Sequence, residues 1–235
     1  ATSAADQPLS VQIFSGRRDE LVRAAQWLVD HGYEGIDINM GCPMAKVNSQ
    51  GGGARLMCDP EGACATVAAV VNAVALPVTV KMRLGWDATQ LTAPALAREF
   101  EQLGVCAITI HGRTRADFYQ GEAEYDTIRD IKSSVGIPVL ANGDIDTPKK
   151  SRDVLDYCGA DGVMLGRAAH GAPWIFRDVN AFLTTGETPA PLSRQALRDI
   201  VLAHLESIYA FYGEDSGLRI ARKHLGWYSE LLDDS

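Results

Sequence analysis

The sequence predicts an α/β chain of the (β/α)8 barrel type, with about six of eight βα units in view and an incomplete helical domain after them. Three observations carry this. Short aliphatic and β-branched runs alternate with amphipathic stretches at a spacing of about 30 residues, which suits right-handed βαβ crossovers. Nearly every apolar run ends in polar or glycine-bearing residues. After Phe182 the alternation stops.

Six parallel strands are expected over residues 11–14, 35–40, 78–83, 107–112, 139–142 and 162–166, each continuous enough for a sheet covered on both faces. Residues 19–31 repeat apolar side chains at Leu21, Ala24, Ala25 and Leu28 and stop at Gly32, a helix with a glycine C-cap. Asp59-Pro60, Ala93-Pro94 and Thr147-Pro148 place proline where a first helical turn tolerates it, with Asp59 and Thr147 as candidate N-caps. Gly104, Gly136 and Gly159 close the helices that precede the next strands.

The strand ends separate a barrel from an open sheet. They carry Asn39 to Cys42, Lys81 and Arg83, His111 and Arg113, Asn142 to Asp144, and Gly166-Arg167. A barrel brings all of these to one mouth, whereas a doubly wound sheet gathers only a few at its switch point. Any single polar strand end can simply begin a loop; five in succession favour the barrel. Beyond the strands, a TGETPAP linker leads to helical segments over residues 193–212 and 217–232. The expected division is therefore a barrel over 1–185 and the start of a helical domain over 186–235. The chain opens at Ala1 in a polar stretch, ATSAADQP, and six strands are two short of a closed barrel, so the expectation is a chain cut at both ends that enters the barrel at its third strand.

Composition narrows the function. With 235 residues, 46% hydrophobic and 22% charged, the chain can bury a core, and disorder is excluded as its main state. No apolar run reaches the roughly 18–20 residues that span a bilayer, and no basic-then-apolar leader opens the chain, so a cytoplasmic location without membrane insertion is expected. Five cysteines form an odd set without a CxxC pair, against a disulfide framework and against a metal site. The formal charge of −8 disfavours nonspecific polyanion binding, although a local basic face on an acidic protein can still bind RNA.

The most informative segment is Asp37-Ile38-Asn39-Met40-Gly41-Cys42-Pro43, followed by Met44-Ala45-Lys46-Val47. Together with VKMRLGW, ITIHGRTR, VLANGDI and VMLGRAAHGAPWIF, in this order and spacing, it closely resembles the tRNA-dihydrouridine synthases, flavin-dependent reductases of uridine, and most resembles their bacterial DusB-like branch. The resemblance runs from about Val11 to the helix holding Arg219, Arg222 and Lys223. It implies FMN as cofactor, NADPH as reductant, tRNA as substrate and a monomer in the full-length form.

The chemistry agrees with these residues. Reducing the C5=C6 bond of uracil takes a hydride at C6, a proton at C5 and a cation near the carbonyl where negative charge develops. Side chains cannot deliver hydride, so a cofactor is required. A thiol ordinarily titrates at about 8.5 and is protonated near neutrality, so a cysteine at a barrel mouth can act as general acid. The resemblance gives Cys42 that role, while Cys58, Cys64, Cys106 and Cys158 read as inert, buried small hydrophobes. Lys81 and Arg83 alternate with Met82 and share a strand face; the resemblance sets Lys81 on the flavin ring, with Arg83 as the candidate to face the substrate and internal salt bridging as the alternative for each. Gln12, Asn39 and His111 match flavin-contacting positions. Asn142-Gly143-Asp144 and Gly166-Arg167 end the last two strands, where barrels commonly hold a phosphate, and FMN is favoured over FAD because no GxGxxG fingerprint follows a strand. A tight turn with Asp144 bonding nearby backbone is compatible with that role.

Arg219, Arg222 and Lys223 share one helix face and, with Lys46, Arg113 and Arg115, become candidate RNA contacts under the resemblance. A uridine buried in folded tRNA would have to be flipped into the mouth. Two other functions remain open at this point: an FMN barrel oxidoreductase acting on a free pyrimidine, as dihydroorotate dehydrogenases do, and a noncatalytic RNA-binding fragment.

Overall fold

A computed structural model describes residues 7–233. The opening polar stretch up to Asp6 lies outside the described residues. Six strands, β1 (Ser10–Ile13), β2 (Gly35–Met40), β3 (Val78–Arg83), β4 (Ala107–His111), β5 (Val139–Asn142) and β6 (Gly162–Met164), form one sheet. Its spatial order is the sequence order, and every neighbouring pair is parallel. An order that never reverses means each right-handed crossover turns the same way, as in a barrel and unlike a doubly wound sheet. The helices are α1 (Arg18–Asp30), α2 (Ala45–Asn48), α3 (Pro60–Ala73), α4 (Ala93–Gln102), α5 (Asp126–Ser134), α6 (Pro148–Cys158), α7 (Ile175–Thr185) and α8 (Arg194–Asp233).

The chain separates into two compact units. One runs to Asp144 and takes in Val154–Met164; the other holds Ile145–Asp153 and the chain from Leu165. In the first, the strands alternate with period two. Ile36, Ile38, Met40, Val78, Val80, Met82, Ile108, Ile110, Val139 and Ala141 are buried on one face, while α1, α3, α4 and α5 each pack against the next. The opposite face carries Gln12, Asp37, Asn39, Thr79, Lys81, Arg83, Thr109, His111 and Asn142. Register then aligns them: Gln12 pairs with Asp37, Asn39 with Lys81, Arg83 with His111, and His111 with Asn142.

In the second unit, Arg152 donates to the Leu183 carbonyl at 2.5 Å and Gly186, at positive φ, ends α7. Ser193 caps α8 by accepting from the Ala196 N–H at 3.1 Å. The aromatic side chains of α8 draw in His170, whose ring stacks on Trp227 at 4.0 Å.

Local punctuation follows the sequence in most places. Asp59 accepts from the Gly62 N–H and Thr147 from the Lys150 N–H, both as N-caps, and Gly32, Gly104 and Gly159 have positive φ. Several details differ; β4, for one, ends at His111 rather than at residue 112. β1 stops at Ile13 because its register with β2 ends there, leaving Phe14 exposed. β6 stops at Met164, since Gly166 leaves the extended region and leads into a 3₁₀ turn at Arg167–Ala169. Gly136 does not close a helix; α5 ends through extended Val135, and the Gly136 N–H goes to Glu101 instead. The gap expected over 213–216 shrinks to Gly213, whose φ of 71° and ψ of 174° break α8 at one residue. No helix among the described residues is long and apolar enough to cross a membrane.

Candidate active site

The site residues stand where the strands end on the polar face. Asp37, an acid within the apolar run GIDINM, accepts from Thr79 Oγ1 at 2.7 Å and from Gln12 Nε2 at 2.6 Å. Gln12 Oε1 accepts from Asn39 Nδ2 at 2.7 Å, which turns Asn39 Oδ1 toward the loop that follows. That oxygen accepts from the N–H groups of Gly41 and Cys42 at 3.1 and 2.9 Å. A carboxylate accepts only, so it sets the polarity of both amides down to the Cys42 backbone. Cys42 is half-buried with a free thiol.

Lys81 and His111 lie beside this line. Lys81 Nζ donates to Asn142 Oδ1 at 3.0 Å, and Asn142 Nδ2 donates to the Met164 carbonyl. Burial, reinforced by nearby Arg83 and opposed by Asp37, pushes Lys81 down to about 8. His111 is 7% exposed. Burial, then the positive charges of Arg83, Lys81 and Arg113, push it down to about 3, so its imidazole is neutral near pH 7. Gly143, at φ 120°, packs against this ring; a Cβ there would sit 2.9 Å from His111 Cδ2 and 2.7 Å from Ala123 Cβ.

Two arginines serve the scaffold. Arg83, 1% exposed, donates to the carbonyls of Gly41, Thr114 and Phe118 at 2.9, 2.8 and 2.7 Å, and its guanidinium lies 5.3 Å from the Tyr119 ring centre. Burial pushes its pKa down. Arg113, 3% exposed, pairs with Asp144 and donates to the Gln120 and Gly121 carbonyls. Both side chains are thus committed to the loops around the strand ends rather than to an outer surface.

The remaining expected residues are more outward. Lys46 is exposed on α2; Arg115 is half-buried over the Trp86 ring, 4.5 Å from its centre. In the second unit, Gly166 and Arg167 are exposed in the turn after β6, and Arg219, Arg222 and Lys223 are exposed on α8, with Lys223 Nζ 4.9 Å from the Trp227 ring centre. Of the other cysteines, Cys158 is buried and Cys58 and Cys64 half-buried, and burial pushes all three thiols up. Cys106 departs from the expected burial: it is exposed at the opposite end of β4 from the site, where its thiol meets the Val78 carbonyl at 3.2 Å. A groove of about 830 Å³ near the starts of α1 and α3 contains none of the expected site residues.

Asp37, Thr79 and Asn48 are functional neighbours that sequence reasoning gave no role. An acid between isoleucines in a strand is the available signal; Asp37 is half-buried, and its carboxylate is met by Thr79 and Gln12. No comparable signal marks Asn48, which donates to the Cys42 carbonyl at 2.8 Å. Among the described residues, no group of three or more His, Cys, Asp or Glu side chains is arranged to hold a metal.

Comparison with known proteins gives the family. The family model described as dihydrouridine synthase (Dus) matches residues 1–235. The chain is 52% identical to "tRNA-dihydrouridine synthase B" of Xanthomonas axonopodis pv. citri over 95% of its own length and 67% of that protein. The corresponding protein of Pseudomonas aeruginosa is 49% identical, over 97% and 68%, and that of Shewanella oneidensis 47%, over 95% and 70%. A solved muconate lactonizing enzyme from Mucobacterium Smegmatis matches 77% of the chain and 43% of its own at a TM-score of 0.55 and 15% identity, a likeness of fold alone. The polar face that ends in the Cys42 loop and the match along the whole sequence lead to one assignment: the chain belongs to the dihydrouridine synthase family.

Proposed function

We propose that the chain reduces the C5=C6 bond of a uridine in tRNA to 5,6-dihydrouridine, with FMN as cofactor, NADPH as reductant and Cys42 as proton donor. The observation that carries this reading is the held position of Cys42, whose backbone is fixed by Asn39 beside Lys81 and His111. The relatives named as tRNA-dihydrouridine synthases support the substrate. His111 is neutral near pH 7 and Lys81 is assigned as the charge-stabilising cation, so the acid role goes to Cys42, as the resemblance to the family implies.

The donor set fits a flavin. Lys81 donates to an amide oxygen, not a carboxylate, so that partner leaves its positive charge unneutralised for an electron-rich ring. Gln12 and Asn39 present amides on the same face, and Gly143 keeps the turn after β5 free of a side chain. When bound, the flavin supplies the hydride added at uracil C6. Cys42 gives its proton to C5 and is reprotonated from water. Lys81 stabilises the negative charge that develops as C5=C6 is reduced, and His111 offers one hydrogen bond as a neutral imidazole.

Residues 1–185 are assigned to catalysis and 186–235 to the start of a helical RNA-binding domain. Lys46 and Arg115 in the first segment and Arg219, Arg222 and Lys223 in the second are the candidate phosphate contacts, and the target base is flipped to reach Cys42. A cytoplasmic location and a monomeric full-length protein complete the proposal.

The test is dihydrouridine formation on unmodified tRNA by the purified chain with FMN and NADPH, read by mass spectrometry of the digested nucleosides. Cys42→Ala keeps flavin absorbance and loses product. Normal turnover by that variant would sink the acid role.

A further inference from the structure

We propose that Asn48 is a positioning residue for Cys42, a role that rests on reading Cys42 as the proton donor. Asn48 ends the single turn of α2, six residues after Cys42, and is buried. Both amide protons and the amide oxygen have partners. Nδ2 donates to the carbonyls of Cys42 and Gly52 at 2.8 and 3.2 Å, and Oδ1 accepts from Arg115 Nε at 3.3 Å. The Cys42 carbonyl also accepts from the Ala54 N–H at 3.1 Å.

The Cys42 backbone is therefore gripped from both sides. Asn39 takes its N–H, and Asn48 with Ala54 takes its carbonyl. Gly53 packs close to the same group; a Cβ there would lie 2.8 Å from the Cys42 carbonyl oxygen and 3.0 Å from its Cβ. With the backbone pinned, rotation of the thiol about χ1 is the freedom that remains, which is the condition for a proton donor aimed at one carbon.

The chemistry demands an amide at this position. Two carbonyls need donors on one side and a guanidinium needs an acceptor on the other, which only a carboxamide supplies. An aspartate would keep the bond to Arg115 and set a carboxylate oxygen against two carbonyl oxygens. Arg115 is held in turn over Trp86, so the clamp reaches from the Cys42 loop to the loop after β4.

The test uses the whole chain and two readouts. Iodoacetamide alkylation is followed by peptide mass, with exposed Cys106 as internal reference, and dihydrouridine formation is followed on tRNA. In Asn48→Asp the Cys42-to-Cys106 alkylation ratio rises several-fold and kcat falls on the order of tenfold, as for one lost hydrogen bond that aligns a reacting group, while KM for tRNA stays within about twofold. A purely structural role would lower Tm and leave the ratio unchanged in the folded protein. If Asn48→Asp does not fold, Asn48→Ser, which keeps one donor, is expected to fold with an intermediate ratio. A folded variant with wild-type ratio and kcat overturns the proposal, as does failure of both variants to fold, which would assign Asn48 to folding alone. Normal turnover by Cys42→Ala would remove the acid role yet leave the alkylation result standing, so the two failures are distinguishable.

Discussion

Arg113 and Asp144 meet in a two-pronged ion pair beyond the ends of β4 and β5, Nη1 to Oδ1 at 2.9 Å and Nη2 to Oδ2 at 2.6 Å. Asp144 also accepts from the Ala123 N–H at 2.8 Å and sits at φ 48°. One carboxylate thus ties the turn after β5 to the loop after β4, and the guanidinium it neutralises is almost fully enclosed. The Asn-Gly-Asp sequence suggests a carboxylate bonding the backbone of its own turn; the Asp144 carboxylate instead reaches the Ala123 N–H in the loop after β4.

Asp144→Asn separates charge from backbone, because asparagine also tolerates positive φ. The variant leaves Arg113 buried without its counter-charge and is expected to lose about 3 kcal/mol of stability. Urea unfolding at pH 7 measures it. A loss under ~1 kcal/mol, the level of an exposed pair, would show the ion pair to be incidental.

His111 gives stability an acid-side dependence. Its pKa lies near 3 in the folded chain against 6.5 as the ordinary value, so between these limits the unfolded chain binds the extra proton. Stability therefore falls as pH drops below 6.5, by about 2 kcal/mol at pH 5 from this group. Unfolding midpoints from pH 7 to 5 should show a shallower decline in His111→Gln than in the parent; parallel curves would contradict the buried neutral imidazole.

Lys81 acts at the other end of the scale. With a folded pKa of about 8 against 10.5, the unfolded chain again holds the extra proton, so stability rises as pH climbs from 8 to 10.5. The rise from this residue is up to about 3 kcal/mol and is absent in Lys81→Met. Over the same range dihydrouridine formation should decline in the parent as the cation is lost. Activity that stays flat to pH 10 would separate Lys81 from the chemistry.

Much of the scaffold was legible because parallel strands write themselves as apolar runs. The inner cores of β2, β3, β4 and β5 fall within the expected spans, and the caps at Asp59 and Thr147 follow from short-range chemistry. Strand ends were less so, since they depend on how far a neighbour's register extends: Phe14 continues the apolar run, yet the pairing of β1 with β2 ends at Ile13. In the site, period two was enough to put Lys81 and Arg83 on one face of β3, while setting Asn39, His111 and Asn142 beside them took the register between strands. The destinations of Arg83 and Arg113 were hidden, because their acceptors are mostly main-chain carbonyls at Gly41, Thr114, Phe118, Gln120 and Gly121. A carbonyl belongs to every residue, so no side-chain pattern announces it. The same holds for Asn48, whose two amide protons go to the backbone oxygens of Cys42 and Gly52.

Arg83 springs from β3 but spends its donors on the loops that follow β2 and β4. Three successive segments of the rim are thereby coupled through a single guanidinium, and none of them can change length or path without leaving a buried carbonyl unmet. Changes that leave this coupling intact are therefore confined to exposed tips of the rim such as Met44 and Lys46, which lie outside the set of carbonyls that Arg83 holds.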